Sequence, residues 1–318
     1  LDPRNISAQV NSAELQLRFS RFKEAKDAIN NLLAQKIERS WMHSALYQIG
    51  FMQNDPALMQ QQLDWALGRQ DEVLALTWQA QSAAFKGKLR EASQHYQRAI
   101  ELNKQRQNHE QAAALYISLA LRQAAYGFDR EAQQALNEAL SLSRNNFVKY
   151  PPGNAVPFGT FALALAGDAA QAIHLCEETV QQYPRNTFAN NLWVPTTNAA
   201  IQLNQGQPAK AVELLRVAAP YDPVASYAPL WLRGRAYLQL NKGREAAGEF
   251  QRILANRGWD PTSTFYPLAH LGLARAYSLL GDVNESRKHY TEFFEAWKEA
   301  DADLPVLIAA KKEFAALR

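Results

Sequence analysis

The side chains that could run acid–base, nucleophilic or metal chemistry in this chain of 318 residues are few and scattered. Histidines stand at 43, 95, 109, 174, 270 and 289, and no two share the spacing that sets a pair of imidazoles on one helix face for a metal. No metal site is expected. His174 and Cys176 are two residues apart, which on a helix turns them to different faces, so they make no thiolate–imidazole pair by themselves. Packing is the expected role of Cys176. As the only cysteine it closes no intramolecular disulfide, and it leaves the redox compartment open. Glu177-Glu178 and the other carboxylates lie among Gln and Arg, as solvated faces do, without the burial that would separate an acid from a base.

Phosphate chemistry is equally unsupported. There is no Gly-x-Gly-x-x-Gly phosphate loop, no P-loop, no His-Arg-Asp catalytic loop and no Asp-Phe-Gly. Gly127-Phe128-Asp129 only rearranges the last triplet. Neither enzyme activity nor a cofactor is expected.

Composition narrows the classes further. With 47% hydrophobic and 10% aromatic residues the chain can bury a core. Lys plus Arg exceed Asp plus Glu by 34 to 31 with no basic tract, so nucleic-acid binding has no evident electrostatic source. Lys104, Arg106 and His109 read as a solvated connection between helices. No run of about 18 apolar residues is present, so no membrane span is expected. The opening Leu1-Asp2-Pro3-Arg4-Asn5 lacks an initiator Met and a signal-peptide pattern, and leads us to expect more sequence upstream.

The elements that must carry these residues announce themselves by repetition. Gly87 precedes Ala92, Gly127 precedes Ala132, Gly167 precedes Ala172, Gly206 precedes Ala211 and Gly281 precedes Ser286, always by five positions. Three further units keep the phrase without its glycine: Ser20 to Ala25, Met52 to Ala57 and Asn241 to Ala246. Twelve positions before each second residue stand Ala13, Ala45, Ala80, Ala120, Thr160, Ala199, Gly234 and Ala274, all small. Antiparallel helices approach closely only where facing side chains are small, and the turn between them wants a residue that tolerates positive φ. Apolar residues between phrases follow helical spacing, as in Leu89, Ala92, Tyr96, Ala99 and Leu102. Prolines fall in the gaps, at Pro151-Pro152, Pro184, Pro220, Pro223 and Pro261; Pro195 should occupy the first turn of a helix.

Paired helices with small residues at these offsets, turn-side aromatics and a closing proline resemble the tetratricopeptide repeat, best in Ser226 to Pro261 with Trp231, Gly234, Tyr237, Ala246, Phe250 and Ile253 in the matching columns. The anchors lie 32, 35, 40, 40, 39, 35 and 40 residues apart, against about 34 for an ordinary unit, so several helices or connections are longer. The resemblance implies an all-α, right-handed superhelical solenoid of about eight helix pairs. The array is expected over 1–302, with units near 6–37, 38–71, 73–106, 113–150, 153–186, 192–225, 227–260 and 267–300. Pro3 stands where the closing proline of a further unit would fall. Residues 303–318 read as a C-terminal capping helix with Leu304, Leu307, Ile308, Phe314 and Leu317 as its apolar stripe.

Narrower phrases resemble the C-terminal repeat regions of bacterial eukaryotic-like Ser/Thr kinases and of some winged-helix regulators. They are His43 to Ile49, Phe161 to Asp168, Ala269 to Tyr277 and, above all, Trp297 to Pro305. This resemblance implies a signalling domain joined to the array, with the repeats extracytoplasmic if tethered behind a membrane span and cytoplasmic otherwise.

By the family's layout, the first helix of each unit lines the concave surface, which there presents Trp193 and Thr196, Trp231 and Arg235, Leu271 and Arg275. Trp and Arg dominate binding hot spots. Core packing is the alternative role for the tryptophans, and structural ion pairing for the arginines. No lysine and asparagine cluster crosses neighbouring units, so the groove does not resemble the clamp some family members use for peptide carboxylates. Two functions follow: a non-catalytic scaffold or sensory module holding a protein or peptide partner, or a self-associating module that brings attached domains together.

Overall fold

A computed structural model describes residues 6–148 and 158–317. Pro3 and Pro151-Pro152 lie outside the described residues. Among those described there are eighteen α-helices and no strand. They follow one another as antiparallel pairs: α1 (Ile6–Arg18) with α2 (Phe22–Ala34), α3 (Ser40–Gln53) with α4 (Pro56–Ala66), α5 (Glu72–Phe85) with α6 (Leu89–Gln105), and α7 (His109–Tyr126) with α8 (Asp129–Leu142). A short helix α9 (Asn145–Val148) leads to α10 (Phe158–Leu165) with α11 (Ala169–Gln182), then α12 (Val194–Asn204) with α13 (Pro208–Leu215), α14 (Ala228–Gln239) with α15 (Gly243–Ala255), and α16 (Phe265–Leu279) with α17 (Val283–Ala296). A last helix, α18 (Pro305–Ala316), follows. Lys104 belongs to the last turn of α6, so the polar connection before α7 is shorter than the sequence suggests.

The spaced glycines do what their column requires. Gly87, Gly127, Gly167, Gly206 and Gly281 turn at φ between +69° and +93°, and Ser20 and Asn241 take the same left-handed conformation without a glycine. The paired small residues meet between the helices: Ser286 Oγ donates to the carbonyl of Ala274 at 2.8 Å, and Ala92, Ala132, Ala172, Ala211 and Ala246 are fully buried. The second unit departs from the expected register by two residues. Asn54, not Met52, holds the left-handed turn, and Ala57 is exposed. The close approach there is made by Gly50, where an added Cβ would come 3.0 Å from the Met59 side chain, so the small residue has moved to the opposite helix.

Pro195 sits in the first turn of α12, behind a π-helical turn at Ala189–Trp193. Proline cannot donate to the carbonyl four residues back, and its ring crowds that group; a wider turn ahead of it relieves both.

The array does not stay open. Its eighth pair and α18 reach back to the third and fourth pairs. The Trp297 indole donates to the Phe85 carbonyl at 3.0 Å and meets the Tyr126 ring edge-on at 4.8 Å. The Asp301 amide donates to the Gly87 carbonyl at 3.1 Å. The Asp301 carboxylate accepts from the backbone amide of Arg90 at 2.8 Å, in the first turn of α6. Helix α6 has no side-chain cap of its own, since its N-cap residue is Lys88. An acid 211 positions away supplies the missing acceptor and its charge faces the positive end of the helix. Farther along, the link from α15 to α16 touches the first unit: Gly258 donates to Ser20 Oγ at 3.3 Å, and a Cβ on Gly258 would strike the Leu17 carbonyl at 2.2 Å.

These contacts join units that lie far apart along the stack. Pro305, at the start of helix α18, rests against Gly127 of the fourth unit, and of the apolar stripe Leu304 and Leu307 are buried, Phe314 and Leu317 half-buried and Ile308 exposed. The eighth pair also meets the third and fifth, with Tyr266 stacked on Phe85 and Phe265 at 6.5 Å from Phe161. No described helix is long and apolar enough to cross a membrane.

Candidate partner-binding site

Among the described residues, a pocket of about 530 Å³ is lined by the fourth to eighth units and by α18. Helix α14 places Trp231 and Arg235 one turn apart, and α16 places Leu268, Leu271 and Arg275 on one stripe. The turn from Gly127 to Asp129 and Val306 of α18 complete the wall. The volume is in the range of about 300–1,000 Å³ usual for clefts that take small ligands, so it suits a side chain or a chain end more than a long extended peptide.

The two arginines are not equivalent. Arg275 is held by Glu313 of α18, Nε to Oε2 at 2.8 Å and Nη2 to Oε1 at 2.9 Å, and Glu313 also accepts from the Tyr290 hydroxyl at 2.9 Å. Its charge is answered. Arg235 makes no hydrogen bond or salt bridge among the described residues; its guanidinium lies over the Trp231 ring at 4.6 Å. Burial holds its pKa below the usual arginine value, at about 10, Arg275 adds to the effect, and Asp129 opposes it. It stays cationic at neutral pH. Asp129 is displaced the other way, its carboxyl raised by burial and lowered by Arg235, without a salt bridge between them. Arg235 is thus a half-buried cation with no anion in contact, backed by an indole and flanked by Leu238, Leu268 and Leu271.

Of the sequence candidates, Trp231, Arg235, Leu271 and Arg275 line this pocket together. Trp193 and Thr196 are placed elsewhere. Trp193 is packed edge-on against Phe158 at 5.0 Å, and Thr196 donates to the Leu192 carbonyl at 2.5 Å inside its own helix; both are buried in the stack. Phe158 opens the neighbouring helix α10 and covers the indole that an uncovered groove would expose.

Cys176 is buried, which pushes its thiol up to about 11 and leaves little thiolate at neutral pH, while His174 faces solvent. Glu178 is paired with Arg144, whose hydrogen bond holds the carboxyl below its usual range. One cluster escaped the sequence reading. His270 and His289 come together with Glu292 because α16 and α17 pair. The visible signal was local, an i, i+3 His289 and Glu292 pair on one helix, whereas His270 lies 19 residues earlier.

The family model of the tetratricopeptide repeat matches residues 74–106, which are the third helix pair. No curated protein gives a significant match. Among solved structures, the chain is similar to one in the APC/C hetero-tetramer Cut9-Hcn1, at 13% identity and a TM-score of 0.46, covering 98% of this chain and 57% of that one. It is also similar to the TPR domain of P58(IPK), at 12% identity and a TM-score of 0.27, covering 99% of this chain and 100% of that one. The chain therefore spans little more than half the length of the first of these. The described residues form an all-helical array of paired helices, with a tetratricopeptide-type unit at residues 74–106.

Proposed function

We propose that this chain is a non-catalytic scaffold that holds a carboxylate-bearing segment of a partner protein in the pocket of Trp231 and Arg235. The observation that carries the reading is Arg235, a half-buried cation that lines an apolar-walled pocket with no acidic side chain in contact. A carboxylate seated there gains charge-assisted hydrogen bonds, and the apolar wall of Leu238, Leu268 and Leu271 takes the carbon skeleton that bears it. The signalling context of the scaffold is part of the same proposal and rests on the resemblance of Trp297 to Pro305 to repeat regions attached to bacterial Ser/Thr kinase domains.

The test uses short peptides with an acidic residue beside a leucine, titrated by calorimetry against their amide counterparts. The acidic peptides should bind and the amides should not. Arg235→Gln should weaken binding about tenfold or more, the worth of a hydrogen bond to a charged group, and leave thermal melting nearly unchanged because no ion pair of the fold is lost. Equal binding of acid and amide, or wild-type affinity in Arg235→Gln, would overturn the reading. Trp231 is the poorer probe, since it also packs on Phe265 at 4.6 Å. Sedimentation of the unliganded protein separates the scaffold from a self-associating module: a dimer that buries Arg235 would favour the latter.

A further inference from the structure

The cluster between α16 and α17 is independent of the pocket. His270 Nδ1 lies 3.0 Å and His289 Nδ1 2.6 Å from the same oxygen, Oε2 of Glu292. The three atoms all fall within 4.8 Å of one another. Two nitrogens and an oxygen converging from two helices form the donor set that borderline divalent cations of the zinc type prefer over the all-oxygen sets of calcium or magnesium.

The surroundings hold the donors in place. The Tyr277 ring stacks on His289 at 5.5 Å with an 11° interplanar angle, and Tyr266 meets His270 edge-on at 5.9 Å. The helix pair is clamped one turn away by the bond from Ser286 to the Ala274 carbonyl. On the far side of His289, Nε2 faces Glu285 Oε2 at 3.7 Å. A neutral imidazole that turns Nδ1 to a cation carries its proton on Nε2, and an outer carboxylate at that nitrogen orients the ring and raises its basicity. Two cations lie near the cluster: Lys288 is paired with Glu285 at 3.0 Å, and Arg257 stands over the Tyr266 ring at 5.2 Å.

We infer that His270, His289 and Glu292 form a three-ligand site for one divalent cation of the zinc class, with a coordination position left for water or a partner's donor. Occupation would tie α16 to α17 in the unit that closes the array.

The experiment is a titration of chelator-stripped protein with zinc(II) by calorimetry, and with cobalt(II) by visible absorption. One ion per chain and a cobalt spectrum of four-coordinate intensity are expected. His270→Gln, His289→Gln and Glu292→Gln should each weaken zinc at least tenfold, whereas His43→Gln, at the other buried histidine, should not. Circular dichroism identifies any variant that fails to fold, and Glu292→Gln, which keeps its shape and a donor amide, then decides. No saturable one-to-one binding at micromolar zinc would overturn the inference. Wild-type affinity in folded Glu292→Gln would do the same.

Discussion

Phe250→Ala should lower the stability of the array by about 3–5 kcal/mol, the range for truncating a buried aromatic side chain. The ring is 1% exposed and is held between two glycines of neighbouring first helices. A Cβ added to Gly234 of α14 or to Gly272 of α16 would come within 2.5 Å of it. Neither glycine has positive φ, so both are there for space. Gly234→Ala alone should cost about 1–3 kcal/mol by overpacking, although alanine is the better helix former. In the Phe250→Ala background, the same substitution should become neutral or stabilising, because the methyl group then fills part of the cavity. Urea unfolding of the two single variants and the double one measures the coupling. Additive losses would show that the ring and the glycines are not in contact.

Trp297→Ala should have an effect of the same size, about 3–5 kcal/mol, and of another kind. Trp297 is 2% exposed, and its contacts join the last unit to the third and fourth. Removing the indole leaves the Phe85 carbonyl without its donor and Tyr126 without its ring partner. Nearest-neighbour contacts along the stack survive, so the helices should persist while the closure loosens. The expected result is near-normal circular dichroism, a larger radius by small-angle scattering, and unfolding that loses its single cooperative transition. An unchanged radius with a uniform drop in stability would mean that Trp297 is only another core side chain. Asp301→Asn, which weakens the cap on α6, should move the radius in the same direction by less.

The segment Trp297 to Pro305 has a structural role that its own residues did not display. Its tryptophan, its two aspartates and its proline are the residues that dock on Phe85, Arg90 and Gly127. Sequence reading assigned the stretch to the end of one unit and the start of a cap. Its partners lie between 178 and 213 positions away, and no periodicity reports that. The groove residues divided for the same reason. Trp231 with Arg235, and Leu271 with Arg275, each share a helix face by i, i+4 spacing, which the chain displays. Whether a stripe meets solvent, a neighbour or the far end of the array depends on how the superhelix closes.

The local chemistry of this chain determined the helix pairs. Residues that accept positive φ set the turns, small residues at fixed offsets set where two helices can touch, and both act within about forty positions. Even the misplaced register of the second unit follows from those rules, since its small residue had passed from one helix to the other at Gly50. Tertiary structure alone decided three things: that the array closes on itself, that Arg235 has no anion while Arg275 has Glu313, and that His270 meets His289 and Glu292. Small angular steps between successive pairs add up over eight units, and the sum decides which distant surfaces meet. No single repeat carries that sum.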